Sequence, residues 1–302
     1  LLVTLGFPPL VGGIGTDSYL LAKYSSEKIV VLAPNCRGVE NFDEAQRFKT
    51  IRMKFIDVQV FYRTGARSSL VDTLMLALVG VYVLLYTVKL KPWKLYFSHW
   101  TLSFLTVPFL RLLKIPYYFA AHGTEVKKPL ESRFYRALLF FCAKYVRKII
   151  CLGYHQKVTL MKAGIPLSKL NAVNEGTDLE LFKPDVDSSK VAQRYNLINK
   201  KVILTTGRLV KRKGHDMVIK SLPRVLEHVP NAVYLIVGNG MERENLEALV
   251  KELNLKEKVI FAGYVPKRDL PKFYNACDVF IMASREVDGD IEGFGIVYLE
   301  AN

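Results

Sequence analysis

Short apolar runs alternate with helical patterns along this chain, and the rhythm occurs twice. Leu1–Gly6, Lys28–Ala33 (KIVVLA), Ile56–Phe61, Leu95–Ser98, Ile115–Ala120 and Lys148–Leu152 form the first series. Lys201–Thr206, Ala232–Val237, Lys258–Ala262 and Asp278–Met282 form the second. Strands that read as continuous apolar runs are covered on both faces, and strands separated by helices pair in parallel. The pattern predicts an α/β protein with two parallel sheets. Leu179–Lys200 breaks the rhythm with Pro184 and Asp/Ser turns. This sets one domain at residues 1–182, a connector with a short helix near Val191 at 183–200, and a second domain at 201–302.

Several helices carry their own signals. Glu242–Leu253 places Leu246, Leu249, Val250 and Leu253 on one stripe. Val218, Leu222, Val225, Leu226 and Val229 line another helix, which Pro223 should weaken or kink. Thr73–Val88 runs 16 residues without a charge. A spanning helix needs about 20 apolar residues, so this one is expected to be buried or interfacial. In Glu131–Lys148 an apolar stripe (Phe134, Ala137, Leu138, Phe141, Tyr145) is bordered by Arg133, Arg136, Lys144, Arg147 and Lys148. That is either a basic amphipathic helix for anionic lipid or an ordinary solvated face.

Charge narrows the partners. The chain has 43 Lys+Arg against 28 Asp+Glu, a net +15. Such a balance favours nucleic acid, an anionic membrane surface or phosphorylated small molecules. No repeat, low-complexity tract or RNA-binding signature accompanies it, which sets nucleic acid aside. Cys36, Cys142, Cys151 and Cys277 form no C-x-x-C pair, so free thiols in a reducing, cytoplasmic setting are expected, with no metal. No signal peptide is read at the apolar, Met-less start, and the last helix stops soon after it begins; the chain is expected to be a fragment.

Asp290–Asn302 (DIEGFGIVYLEAN) concentrates the chemistry. Glu292 and Glu300 bracket Gly293, Phe294, Gly295 and Ile296 at the opening of a helix. Glycines let backbone approach a ligand, and free N–H groups at a helix start attract anions. Carboxylates on either side can hold hydroxyls, so the stretch is either a sugar-nucleotide site or a Gly-rich turn with two surface glutamates. Gly12 and Gly13 follow the first strand, at the sheet end where open α/β folds place ligands, but the G-x-G-x-x-G dinucleotide pattern is absent. His122 in Ala121–Glu125 (AHGTE) occupies an equivalent strand end.

GRLVKRKG, VGNG, FAGYVPKRDLPKFYNACDVFIMAS and EGFGIVYLEA follow one another in order through residues 201–302. Together they resemble the donor-binding domain of the retaining GT-B glycosyltransferases of the E-x7-E type (family 4), and REVDGDIEGFGIVYLEA most resembles the phosphatidylinositol mannosyltransferase branch. A GGI loop, HGTE and NEGTD make the first half compatible, although Asn174 and Glu175 depart from the usual spelling. The resemblance implies a GT-B fold, with two Rossmann-like domains facing across a cleft and the C-terminal one truncated. It implies transfer of a hexose, mannose first, from a nucleoside-diphosphate sugar to a lipid or glycan acceptor, with no cofactor and no required metal.

Residue by residue, the resemblance makes Arg208 and Lys213 the grip on the diphosphate, with Lys211 and Arg212 facing solvent. Glu300 accepts from ribose hydroxyls and Glu292 from hydroxyls of the donor sugar. Backbone N–H groups of Phe294–Ile296, with Gly12 and Gly13, meet the phosphates. Tyr264 and Val265 frame the base, and His122 reaches the donor sugar near its anomeric side. A cytoplasmic location is expected, and the positive charge and basic helix suit an acceptor at the cytoplasmic membrane face, where the chain would be peripheral. A nucleotide-sugar epimerase and a catalytically silent sugar-nucleotide or lipid-binding module remain the alternatives.

Overall fold

The computed structural model describes residues 1–10, 13–57, 69–122, 132–287, 292 and 295–302, with backbone alone at 57 and 69–73. It divides into two compact units, Leu1–Gly176 and Thr177–Asn302.

The first unit is built on a seven-stranded parallel sheet, ordered β3-β2-β1-β4-β5-β6-β7. Its strands are β1 (Leu2–Val3), β2 (Val30–Asn35), β3 (Lys49–Asp57), β4 (Leu95–Phe97), β5 (Tyr117–Ala121), β6 (Lys148–Leu152) and β7 (Leu170–Val173). Leu2 stands beside Val31 on one side and Tyr96 on the other, which puts β1 at the centre. Successive side chains of a strand point to opposite faces. Leu2, Val31 and Ala33 therefore pack with Phe7 on one face, against Tyr19 of α1 (Gly13–Tyr24) and Phe42 of α2 (Val39–Glu44). Val3 and Leu32 face the larger core on the other side. There they meet Val79 and Val83 of α3 (Ser69–Leu90), Val107 and Leu110 of α4 (Val107–Leu112), and Leu139 and Cys142 of α5 (Arg133–Tyr145). The helix α6 (Tyr154–Lys162) connects β6 to β7.

The second unit holds a four-stranded parallel sheet, ordered β10-β9-β8-β11. The strands are β8 (Lys201–Thr206), β9 (Ala232–Val237), β10 (Val259–Gly263) and β11 (Val279–Phe280). Between and around them lie α7 (Ser189–Arg194), α8 (His215–His228), α9 (Arg243–Glu252), α10 (Leu270–Tyr274) and α11 (Val297–Ala301). Alternation again makes two cores. Val202, Leu204, Val233 and Leu235 pack with Phe273 and Tyr274, while Tyr234 and Ile236 pack with Val218, Ile219, Leu222, Leu246 and Val250.

Three sequence expectations change. The third strand lies at Lys49–Asp57 rather than Ile56–Phe61, whose residues 58–61 lie outside the described ones. As an edge strand it mixes Ile51, Met53 and Phe55 with Thr50, Arg52 and Lys54, so it lacks the apolar run of a strand covered on both faces. The edge strand β7 is short and mostly exposed, with Asn171 interrupting Leu170, Ala172 and Val173, and apolar runs do not find it. Residues 177–182, expected in the first domain, and 183–200, expected as a connector, are part of the second unit, because Phe182, Val191 and Leu197 bury into its core. The helix α8 runs on through Pro223, the residue expected to weaken or kink it. Proline there removes one N–H donor, and the buried face of Val218, Ile219 and Leu222 outweighs that loss.

The uncharged stretch of α3 is half core and half surface. Val79 and Val83 are fully buried, whereas Leu74, Leu78, Val81, Leu85 and Val88 are exposed. Among the described residues no helix is long and apolar enough to cross a membrane. All four cysteines are free, and burial raises the thiols of Cys142, Cys151 and Cys277 to about 11.

Candidate functional site

The turn after β8 and the loop after β11 meet at the carboxyl ends of their strands, and glycines allow the approach. Gly214 ends the Lys211–Lys213 turn at φ +70°, and a Cβ there would sit 1.8 Å from the carbonyl oxygen of Ala283. Gly238, at φ +142°, lets the Gly207 carbonyl pass where its own Cβ would stand, at 1.8 Å. Any L-residue at either place would strain its backbone and displace its neighbour. The Arg285 N–H donates to the Arg212 carbonyl at 2.9 Å, and its guanidinium pairs with Asp216 at 2.9 and 3.0 Å. The two loops are thereby fastened together.

Glu292 is the centre of the charged cluster. Its Oε2 accepts from Arg212 Nη1 at 2.5 Å and from Lys213 Nζ. The Arg212 and Lys213 side chains are each 10% exposed and that of Glu292 22%. Burial pushes the Glu292 carboxyl up, but the hydrogen bond and charge of Lys213, reinforced by Arg212, hold it below the usual carboxylate range. Burial lowers the Lys213 ammonium, and Glu292 works against that shift. Lys213 Nζ also reaches Met282 Sδ at 3.3 Å. Arg208 is exposed at the same turn. Two cations thus hold one carboxylate and a third, Arg208, acts on Lys213 electrostatically, leaving an excess of positive charge suited to a diphosphate.

A second carboxylate, Glu300, lies on α11. Glu300 Oε2 accepts from the Tyr274 hydroxyl at 3.0 Å, and Lys267 Nζ stands 3.7 Å from Oε1. The Tyr274 hydroxyl in turn shares a 2.6 Å hydrogen bond with Thr206 at the end of β8. Burial raises the Glu300 carboxyl, opposed by Lys267 and Tyr274. Gly295, at φ +85°, opens α11 and packs against the Tyr298 ring, whose hydroxyl donates to the Met282 carbonyl at 2.7 Å. This ties the short helix carrying Glu300 to the loop carrying Lys213's sulfur neighbour.

His215 buttresses the cation turn from below. It is 2% exposed, and its Nε2 lies 3.3 Å from the Arg208 carbonyl, its Nδ1 3.3 Å from the Tyr234 hydroxyl. Burial lowers its pKa to about 4, with Lys213 adding to the shift and the Arg208 carbonyl opposing it. The unfolded imidazole binds a proton near pH 6.5, so it holds more protons than the folded one below that pH. This contribution to stability is complete above pH 6.5 and is lost as pH falls towards 4. Denaturant titrations between pH 7 and 4 should show a decline to which His215 adds about 3 kcal/mol. A His215→Gln chain should lack that component; an unchanged slope would remove the buried neutral imidazole.

In the first unit, His122 follows β5 and is held by three neighbours. Its Nε2 lies 2.9 Å from the Ser98 carbonyl, which only accepts, so that nitrogen carries a proton. Its Nδ1 faces Asp17 Oδ2 of α1 at 3.5 Å. Its own carbonyl accepts from Gln156 at 2.6 Å. Asp17, His122 and Glu175 bring their ligand atoms within 4.8 Å of one another.

The structure brings Arg208, Lys213, Glu292, Gly295, Ile296 and Glu300 together around the ends of β8 and β11. Tyr264 and Val265 follow β10; Tyr264 is exposed and Val265 packs inward. His122 and Gly13, the first residue of α1, belong to the other unit. Gly12, Gly293 and Phe294 lie outside the described residues. Arg212 requires correction: it is buried on Glu292 instead of facing solvent, while Lys211 is exposed as expected. Thr206, Tyr274, His215 and Asp17 escaped the sequence reading. Tyr274 and Asp17 lie outside the recognisable glycine-rich turns, and only the folded chain brings them to the glutamate and the histidine they serve.

The family model for glycosyl transferases group 1 matches residues 189–302. A GDP-mannose-dependent α-(1-6)-phosphatidylinositol monomannoside mannosyltransferase of Mycolicibacterium smegmatis is 30% identical, the match covering all of this chain and 77% of that protein. Mannosylfructose-phosphate synthase of Agrobacterium fabrum is 35% identical over 46% of this chain and 31% of its own length. In fold the chain is similar to Anabaena HepE in complex with UDP, with a TM-score of 0.75, 17% identity, and coverage of 99% of this chain and 77% of that one.

Proposed function

The chain belongs to the group 1 glycosyl transferases, and from that premise we propose that it moves mannose from GDP-mannose to a glycolipid or glycan acceptor with retention of configuration. The mannosyl donor is supported by the names of the relatives at 30% and 35% identity. The observation that carries the reading within this chain is Glu292, held by Arg212 and Lys213 beside Arg208 at the strand ends.

Cleavage of a nucleoside-diphosphate sugar leaves a diphosphate whose negative charge grows in the transition state. Preformed cations stabilise that charge without reorganising. Lys213 and Arg208 take the diphosphate in this reading, and backbone N–H groups of Phe294–Ile296 are expected to meet the phosphate oxygens. Glu292 holds both buried cations in place and turns its remaining acceptor capacity to hydroxyls of the donor sugar. Glu300, oriented by Tyr274, accepts from the ribose, while Tyr264 and Val265 frame the base. His122, oriented by Ser98 and Asp17, serves the donor sugar near its anomeric carbon. The glutamates are binding groups rather than the acid/base pair of a glycosidase. The departing phosphate deprotonates the acceptor, so no enzyme nucleophile and no resident metal enter this scheme.

Incubation of the full chain with GDP-mannose, GDP-glucose, UDP-glucose and UDP-galactose, with and without a mannosylated phosphoinositide acceptor, tests the proposal. Acceptor-dependent release of GDP with an α-linked mannosyl product is expected. Isomerisation of a donor without acceptor would replace transfer by epimerisation. Tight binding with no turnover of any donor would make the chain a silent module.

A further inference from the structure

We infer, on the reading of Glu300 as the ribose carboxylate, that Lys267 is a specificity residue of the same pocket. Glu300 and Lys267 hold one ribose hydroxyl between them: it donates to Glu300 Oε1 and accepts from Lys267 Nζ. The pair thereby separates a ribonucleoside diphosphate from its deoxy counterpart.

The two oxygens of Glu300 have different neighbours. Oε2 accepts from the Tyr274 hydroxyl at 3.0 Å, and that hydroxyl meets Thr206 at 2.6 Å. Burial, and after it the charge of Glu300, raise the tyrosine far above its ordinary value, so it stays a donor. An ionised carboxylate only accepts, so the single tyrosine proton lies on Oε2 and Thr206 donates to the tyrosine. This relay commits Oε2 and leaves Oε1 to a ligand. The Glu300 side chain is 7% exposed, and an acceptor that buried is costly to leave unpaired.

Lys267 stands over that free oxygen. It opens the turn Lys267–Asp269, two residues past Val265. Its Nζ lies 3.7 Å from Oε1 and 5.7 Å from the centre of the Phe182 ring, which meets Tyr274 edge-on at 5.8 Å. One buried phenyl ring thus braces the side chains on both sides of Glu300. A separation of 3.7 Å is too long for a hydrogen bond. The neighbouring Lys272 and Asp269 show what a direct pair looks like, at 2.8 Å. An ammonium donates and does not accept, and a carboxylate oxygen does the reverse. A phosphate oxygen would suit the lysine and be repelled by the glutamate. An amino group of a base would suit the glutamate and not the lysine. A hydroxyl satisfies both at once, and a site built to hydrogen-bond a hydroxyl discriminates strongly against a ligand that lacks it.

Calorimetric titration of the full chain with GDP, 2′-deoxy-GDP and 3′-deoxy-GDP, and with the uridine series in parallel, is the test. Wild type should prefer the ribonucleotide about tenfold over one of the two deoxy analogues. Lys267→Met, which keeps the length of the side chain and removes its donors, should lose about tenfold in affinity for the ribonucleotide. It should keep wild-type affinity for that same analogue, which also reports an intact fold. Lys267→Arg, which retains a cationic donor, should regain part of the preference. A wild type without preference would overturn the inference, as would a Lys267→Met chain with the preference unchanged. So would equal losses for ribo and deoxy ligands, which mean attraction by charge alone. Each of these results leaves the donor reading standing, because a nucleoside diphosphate still binds. A chain that binds neither GDP nor UDP would remove that reading and the role of Lys267 with it.

Discussion

Glu292→Gln should lower turnover by about 10²–10³-fold while leaving the donor KM within a few-fold. The substitution keeps the shape and removes the charge. Glu292 is the shared partner of Arg212 and Lys213, and its carboxyl is held below the usual range by those two cations against the effect of burial. Without it, two side chains only 10% exposed lose their counter-charge. Breaking a buried pair from one side costs about 3–5 kcal/mol, so the variant should also melt earlier. The freed cations still attract a diphosphate, which protects ground-state binding. They are no longer aimed, and aim matters where charge develops in the transition state. The pH dependence has a definite sign. A carboxylate with a depressed folded pKa stabilises fully above its unfolded value, and that contribution is lost as pH falls through the folded value. Wild type should therefore lose stability on acidification through a component that Glu292→Gln lacks. Steady-state kinetics showing unchanged kcat would end the assignment of Glu292 to the donor site.

Lys213→Ala should weaken nucleoside-diphosphate binding by about 10–100-fold, or about 1.4–2.7 kcal/mol, and lower turnover further. Lys213 is the buried cation nearest the carboxylate, desolvated by its surroundings and so a stronger electrostatic partner than a surface lysine. Its loss also leaves Arg212 as the ion-pair partner of Glu292 among the described residues and removes the contact with Met282 Sδ. Lys211, two residues earlier and exposed, is the matched control, and Lys211→Ala should behave as wild type. Equal losses from the two substitutions would mean that net charge, rather than a placed cation, attracts the nucleotide.

The architecture was readable wherever strands are covered on both faces. Lys148–Leu152, Lys201–Thr206 and Ala232–Val237 appear at the residues their apolar runs predicted. It was not readable at the edges, where β3 alternates and β7 is four residues long and mostly exposed, because half-exposed strands need no apolar run. The donor side was legible through its glycines. Gly214 and Gly238 are required by close backbone passages, so the turns they make are recognisable in sequence and place Arg208 and Lys213. The inward turn of Arg212 was hidden, since an Arg between two lysines in a turn looks like a solvated cation until its partner, 80 residues later, is placed. The same holds for Tyr274 on Glu300, 26 residues apart, and for Asp17 on His122. Polar partners that are distant in sequence leave no periodic trace, which is why the side chains orienting the site emerged only from the fold.

Calorimetric titration of GDP and GMP into the wild-type and Lys213→Ala chains at pH 7 tests the central claim most directly, that the Arg208–Arg212–Lys213 cluster is a diphosphate grip. The wild type should bind GDP at one site, at least tenfold more tightly than GMP, and Lys213→Ala should lose most of that difference while its affinity for GMP stays close to wild type. A wild-type chain that binds GMP as tightly as GDP, or a Lys213→Ala chain that keeps the full preference for the diphosphate, would contradict it.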